Sequence, residues 1–178
     1  MLGAVLGDPE RVRAWWASVA TRITAAAGAE DAMRDLAAAI ARDVDPYAFG
    51  IFLVDRATGE LVLKHRFAHG PLSDRPIAVP PDQGLVGFVC RHGVPLVVHD
   101  VSQDPRYLRG PLADARSALA VPVRAGGATV GALDIESSAP WTFDTADIEA
   151  MTALASALGG VLARTPRREP AGPLLQKH

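Results

Sequence analysis

Apolar residues recur along this chain in two rhythms, and the changes of rhythm mark out its elements. Residues 8–28, "DPERVRAWWASVATRITAAAG", carry Trp15, Val19 and Ile23 at steps of four, the stripe of an amphipathic helix. Asp8 suits an N-cap, Pro9 the first helical position and Gly28 the end. "EDAMRDLAAAIARDV" repeats the pattern with Met33, Leu36, Ala37 and Ile40 until Asp45-Pro46 stops it. "YAFGIFLV" then alternates, with Phe49, Ile51 and Leu53 on one face and Phe52 and Val54 on the other. Both faces are apolar, as in a strand covered on both sides. Turn chemistry in "DRATGE" leads to a return strand, "LVLKHRF". Strict alternation there puts Leu61, Leu63, His65 and Phe67 on the buried face, with His65 pointing inward.

After a Pro-rich loop with a short strand at "IAV", "GLVGFVCRHG" reads as a two-turn helix closed by Gly93. "PLVVHD" is a strand, and "VSQDPRYLRGPLADAR" is a long connection with little periodicity. "SALAVPVRAGGATVGALDIES" is a hairpin turning at Ala125-Gly126-Gly127, with Pro122 marking an edge position or a bulge. The last helix, "TFDTADIEAMTALASALGGVLART", starts with Asp144 as cap and Asp147 at its third position, a short-armed capping box. Hairpin-linked strands framed by helices predict an α+β fold built on an antiparallel sheet.

The composition narrows the class. A hydrophobic fraction of 49% fills a core, and a net charge of -2 argues against a dedicated nucleic-acid binder. The single cysteine, Cys90, excludes an intramolecular disulfide and a thiolate zinc cage. "MLGAVLG" is too short, and too soon followed by charge, for a signal peptide or a membrane span, so a cytoplasmic protein without membrane contact is expected.

The segments "GLVGFVCRHGVPLVVHDVSQDPRY", "RSALAVPVRAGGATVGALDIES" and "FDTADIEAMTALASALG" resemble, in order and spacing, the GAF domain family. The resemblance implies a GAF/PAS-like fold: a central antiparallel sheet of about six strands, with the N- and C-terminal helices on one face. The other face then carries a small-molecule pocket roofed by the middle helix and the long loop. It divides the chain into a helix over 1–29, suited to dimerisation, a GAF domain over 30–163, and a flexible tail over 164–178.

Asp134 and Glu136 lie two apart on the last strand and share a face, the one the family uses for its pocket. They are either solvated charges at a strand end or an enclosed pair whose repulsion raises one pKa and favours a cationic ligand group. "GALDIES" is also similar to the matching segment of free methionine-(R)-sulfoxide reductases, which are GAF enzymes. In that family, acids on this strand hold the substrate, while cysteines in the middle helix and the long loop do the chemistry. Here "PRYLRGPLADARSALAVP" has no cysteine, and residues around Leu112 and Ala113 stand in its place. A sulfoxide needs one thiol to attack and another to resolve the product, so no catalytic residue is assigned.

The remaining polar candidates divide in the same way. Cys90 reads as a small buried hydrophobe, His65 as a core or pocket-wall histidine, His99 as a turn residue and His92 as a helix-end residue. No spacing rule joins His65, His99, Asp134 and Glu136 into a metal site. Arg106, Tyr107 and Arg109 are either solvated loop or lid residues, with an arginine available for an anion. The Asn-Lys, Phe and Asp-Glu set of cyclic-nucleotide-binding members is not visible. The candidate pocket is therefore Phe52, His65, Phe67, Phe88, Tyr107, Asp134 and Glu136, with no cofactor identified.

Trp15 and Trp16, about 100° apart on a helix, cannot share one face, so at least one leaves the stripe inside the domain unless the helix is covered on two sides. The expectation is an exposed tryptophan and a homodimer through Trp15, Trp16, Val19 and Leu158, with Gly159-Gly160 alongside. The function expected is a sensory or regulatory module that binds an unidentified small molecule and signals through dimer contacts or a separate output protein. The alternatives are an inactive relative of the sulfoxide reductases and a purely structural dimer module.

Overall fold

A computed structural model describes residues 1, 8–69, 77–109 and 114–165. The predicted tail beyond 165, and Leu112 and Ala113, lie outside the described residues.

The first and last helices begin where the sequence supplies oxygen acceptors. The Asp8 carboxylate accepts from the backbone N–H of Glu10 and Arg11 and starts α1, Pro9–Ala25. Gly28 does not end α1; the chain leaves the helix at Ala26, and Gly28 is the extended N-cap of α2, Ala29–Asp43. Strands β1 (Ala48–Val54), β2 (Leu61–Ala68) and β3 (Ala78–Val79) follow. Helix α3, Gly84–His92, closes on Gly93 in the left-handed conformation. Next come β4 (Leu96–Val98), a 3-10 turn (Val101–Gln103), β5 (Ser117–Ala125) and β6 (Ala128–Ser137). Helix α4, Thr145–Arg164, starts with the reciprocal Asp144–Asp147 capping box.

Six antiparallel strands form one sheet in the order β3-β2-β1-β6-β5-β4. Gly126 and Gly127, at φ 59° and 82°, make the mirror-image turn that suits the twist of the β5–β6 hairpin. Pro122 lies past the last β4 partner of β5, which ends at Ala120, so its missing N–H leaves no gap in the ladder on that side.

Alternation divides the hydrophobic residues into two clusters. Phe49 and Ile51, Leu119, Val121 and Val123, and Leu133 and Ile135 face α1, α2 and α4. Phe52, Ala118, Ala120 and Ala132 face α3. Helix α4 approaches β5 so closely that a Cβ on Gly159 would lie 1.9 Å from the Arg124 carbonyl oxygen. Gly159 therefore serves packing inside the domain. By length and composition α4 is apolar enough to cross a bilayer, but the buried side chains of Met151, Leu154 and Leu158 account for that hydropathy.

One strand departs from simple alternation. Ile51 pairs with His65 and Phe52 with Leu63, which leaves Lys64 unpaired as a β-bulge. Leu61 and Leu63, opposite Val54 and Phe52, stay with the α3-side cluster. Beyond the bulge, His65 and Phe67 stand opposite Ile51 and Phe49, on the helix side. The expectation that Leu61, Leu63, His65 and Phe67 share a face is corrected by this extra residue.

The surface expected around the tryptophans also needs correction. Trp15 and Trp16 are both half-buried against the helix-side core, and Trp15 Nε1 donates to Asp43 Oδ2 at 2.9 Å. Helix α1 is covered on two sides, by α4 and by α2, so neither indole projects freely. Val19 and Leu158, at 1% and 0% exposure, are interior and unable to line a dimer interface. The tryptophan that is exposed is Trp141, stacked on the His99 ring at 4.2 Å.

A candidate ligand pocket with two enclosed acids

The sheet register explains why space remains above the centre of the sheet. Asp134 stands between Gly50 on β1 and Ala120 on β5, and Glu136 between Ala48 and Ala118. The cross-strand neighbours of both acids are thus a hydrogen or a methyl group. The Phe52 ring leans over Gly50, its Cε2 2.9 Å from where a Cβ would lie, and these neighbours donate no side-chain hydrogen bond to the acids. A cavity of about 220 Å³ results, floored by these positions and walled by Phe52, Leu63, Ile77, Val79, Leu85 and Val86. Tyr107, Leu108 and Arg109 bring the long loop over it, and Arg66 reaches it from β2.

The acids are poorly satisfied. Asp134 Oδ1 is shielded from solvent and has no hydrogen-bond partner among the described residues. Glu136 Oε1 accepts from the Tyr107 hydroxyl at 3.1 Å. Burial, and then the Glu136 charge, holds the Asp134 carboxyl well above the ordinary carboxylate range. Burial raises Glu136 too, against the opposing pull of the Tyr107 hydrogen bond. The Tyr107 phenol is itself pushed up, by burial first and then by Glu136.

Of the residues proposed from sequence, Phe52, Tyr107, Asp134 and Glu136 meet around this cavity. Phe67 contributes to its wall, but its apolar packing is with the helix-side core. His65 does not reach the cavity; the bulge turns it toward α2, where Nε2 lies 2.8 Å from Glu30 Oε1. Phe88 is also outside the cavity lining. It stands on the flank of α3 with the Arg106 guanidinium 4.6 Å above its ring and His92 beside it. Arg106 folds back onto Asp104, with Nε 2.9 Å from Oδ1, and is thereby withdrawn from the pocket. The same bulge that removes His65 delivers Arg66, a residue the alternation had assigned to the other face. A charged pair, Lys64-Arg66, on an otherwise half-buried strand was the available sign.

Cys90 is half-buried among the α3-side residues, and burial pushes its thiol up to about 12. At neutral pH it is a thiol, not a nucleophilic thiolate. Asp100 caps the 3-10 turn through the Ser102 N–H, while His99 lies under Trp141 with its Nδ1 shielded and without a hydrogen-bond partner among the described residues. Among the described residues no group of three or more His, Cys, Asp or Glu side chains is arranged to hold a metal ion.

This architecture has many relatives of known structure. The GAF domain of a phosphoenolpyruvate-protein phosphotransferase from Coxiella burnetii superposes with a TM-score of 0.78 at 22% identity, covering 88% of this chain and 95% of that one. A free methionine-R-sulfoxide reductase from Neisseria meningitidis, in complex with its substrate, gives 0.75 at 26% identity, covering 85% and 87%. In sequence, Protein YtsP of Bacillus subtilis (strain 168) is 29% identical over 117 residues, 65% of this chain and 68% of that protein. A family model described as GAF domain matches residues 26–163, and the chain is a member of the GAF domain family.

Proposed function

We propose that this GAF domain is a cytoplasmic ligand-binding module and not a catalyst. Its pocket takes a small molecule with a positively charged group set against a compact apolar body. The observation that carries this reading is the enclosure of Asp134 and Glu136 under mostly apolar walls, with Asp134 Oδ1 left without a donor among the described residues. Burying such a group without a partner is unfavourable, and a bound cation would supply the missing partner. Ligand entry would reorganise the Tyr107–Arg109 segment and pass the change to a second copy or a separate output protein.

A screen of amines, polyamines, amino acids, sulfoxides and nucleotides by thermal shift tests this directly. Amine-bearing compounds should raise the melting temperature with concentration, and Asp134→Asn should abolish the shift. A response confined to anionic or neutral compounds would overturn the reading.

The kinship with sulfoxide reductases supports a second reading, in which the same acids hold free methionine-R-sulfoxide for reduction. Reduction of a sulfoxide by thiols needs one sulfur to attack and a second to resolve, and Cys90 is the one cysteine in the sequence. A turnover assay with free methionine-(R)-sulfoxide and a thioredoxin system separates the two. A rate above background that is abolished by Cys90→Ser would establish the enzyme.

A further inference from the structure

Asp134 and Glu136 face the same small enclosure from adjacent same-face positions of β6. The opposite positions on β1 and β5 are Gly50, Ala48, Ala120 and Ala118, which offer no charge. Helix α3 contributes Gly84, Leu85 and Val86, also uncharged. The loop contributes Tyr107, a hydrogen-bond donor to Glu136, and Arg109 at the rim; β2 contributes Arg66. Burial and the Glu136 charge hold the Asp134 carboxyl up, and burial raises Glu136 against the pull of the Tyr107 hydroxyl.

Two carboxylates in one poorly solvated space do not both ionise at neutral pH without a compensating charge. A cation held between them is such a charge. We propose that the empty pocket carries a proton on the Asp134–Glu136 pair, and that an entering cation displaces it to solvent. This rests on the cation-binding reading of the pocket given above. The exchange is balanced: one O–H bond of a carboxylic acid breaks, the proton goes to water or buffer, and the ligand's positive charge takes its place. The net charge of the enclosure is the same before and after. Ligand capture is therefore linked to pH, with affinity rising by up to about tenfold per pH unit until the pair is ionised in the free protein. At fixed ligand concentration the domain reads acidity.

The test uses phenethyltrimethylammonium, a permanent cation that has no proton to lose. Calorimetric titration of the full chain near pH 7, in phosphate and in Tris, gives the proton count from the difference in heats. Carbon-detected NMR of the aspartate and glutamate carboxyls follows the free protein from about pH 4 to about pH 9. The expected result is release of close to one proton, with a carboxyl of the pair titrating well above the ordinary range. Binding with equal heats in the two buffers would overturn the exchange and leave the cation-binding function standing. So would two carboxyls that both titrate in the ordinary range. A carboxyl that titrates high, with no binding of the probe from about pH 6 to about pH 9, would overturn the cation-binding reading and the exchange with it.

Discussion

The two faces of the sheet treat the same residue type in opposite ways. On the helix side Asp147 is 2% exposed, yet its carboxylate accepts from the Asp144 backbone N–H at 3.0 Å and from the Met1 ammonium at 2.8 Å. On the pocket side Asp134 Oδ1 is shielded with no partner among the described residues. The first acid stabilises its surroundings because donors were in place when water left. The second is held where small neighbours leave both space and an unpartnered carboxyl oxygen, at a cost the filled face must offset. One face is built to hold the chain together, and the other keeps strain in reserve for a guest.

Truncation of the core should show the largest contrast. Leu154→Ala, at a fully buried position under α1 and the sheet, should cost about 3 kcal/mol in urea unfolding, transfer plus a new void. Leu85→Ala should cost about 2 kcal/mol, because its site already opens onto the cavity and little further void is made. Equal losses would erase the distinction between a filled and an open face.

The two aspartates should respond with opposite sign. Asp147→Ala removes half of the capping box and the partner of the Met1 ammonium, and should destabilise by about 3 kcal/mol. Asp134→Asn removes the unsatisfied acid and should stabilise by about 1 kcal/mol at neutral pH. The pH dependence sharpens this. Folded protein keeps a proton on the pair where the unfolded chain, titrating near roughly pH 4, has lost it. Stability therefore falls as pH rises from that range through the folded pair's titration, then levels. In the Asp134→Asn/Glu136→Gln variant the slope over that window should vanish; a slope that persists would assign it to other groups.

Smaller effects come from the pocket's own polar contact. Tyr107→Phe deletes the hydrogen bond to Glu136, should cost less than about 1 kcal/mol, and should move the Glu136 carboxyl further up by NMR titration. The smallest test is chemical: Cys90 should react slowly with iodoacetamide at pH 8 in the folded protein and quickly after denaturation, because burial raises its thiol. Rapid labelling of the native state would place Cys90 in an open site.

What the sequence made legible follows the same division. The helix-side core was readable because stripes at steps of four in α1 and α2 and alternation in β1 and β6 each have one physical solution. The caps at Asp8 and Asp144 were readable because short oxygen-bearing side chains before a helix have few other uses. The acids' shared face followed from alternation, but their enclosure did not, since it depends on Gly50, Ala48, Ala118 and Ala120 lying opposite them in register. His65, Phe88 and Arg66 were misassigned or missed for similar reasons. A bulge at an unremarkable lysine reverses a strand's faces, and the flank of α3 seen by Phe88 is set by how that helix lies on the sheet. Val19 and Leu158 were readable as apolar but not as interior, because the stripe of a helix does not say which neighbour covers it.

The bulge at Lys64 lets the pairing of β2, as well as its residues, set the chemistry of this cavity. Deleting Lys64 would only close the bulge and keep the present facings, whereas pairing the same residues in strict alternation, without the bulge, would send an imidazole and a phenyl ring toward the cavity and withdraw a guanidinium, with no side chain replaced. One unpaired residue thereby decides the address of three side chains while the rest of the scaffold stays as it was.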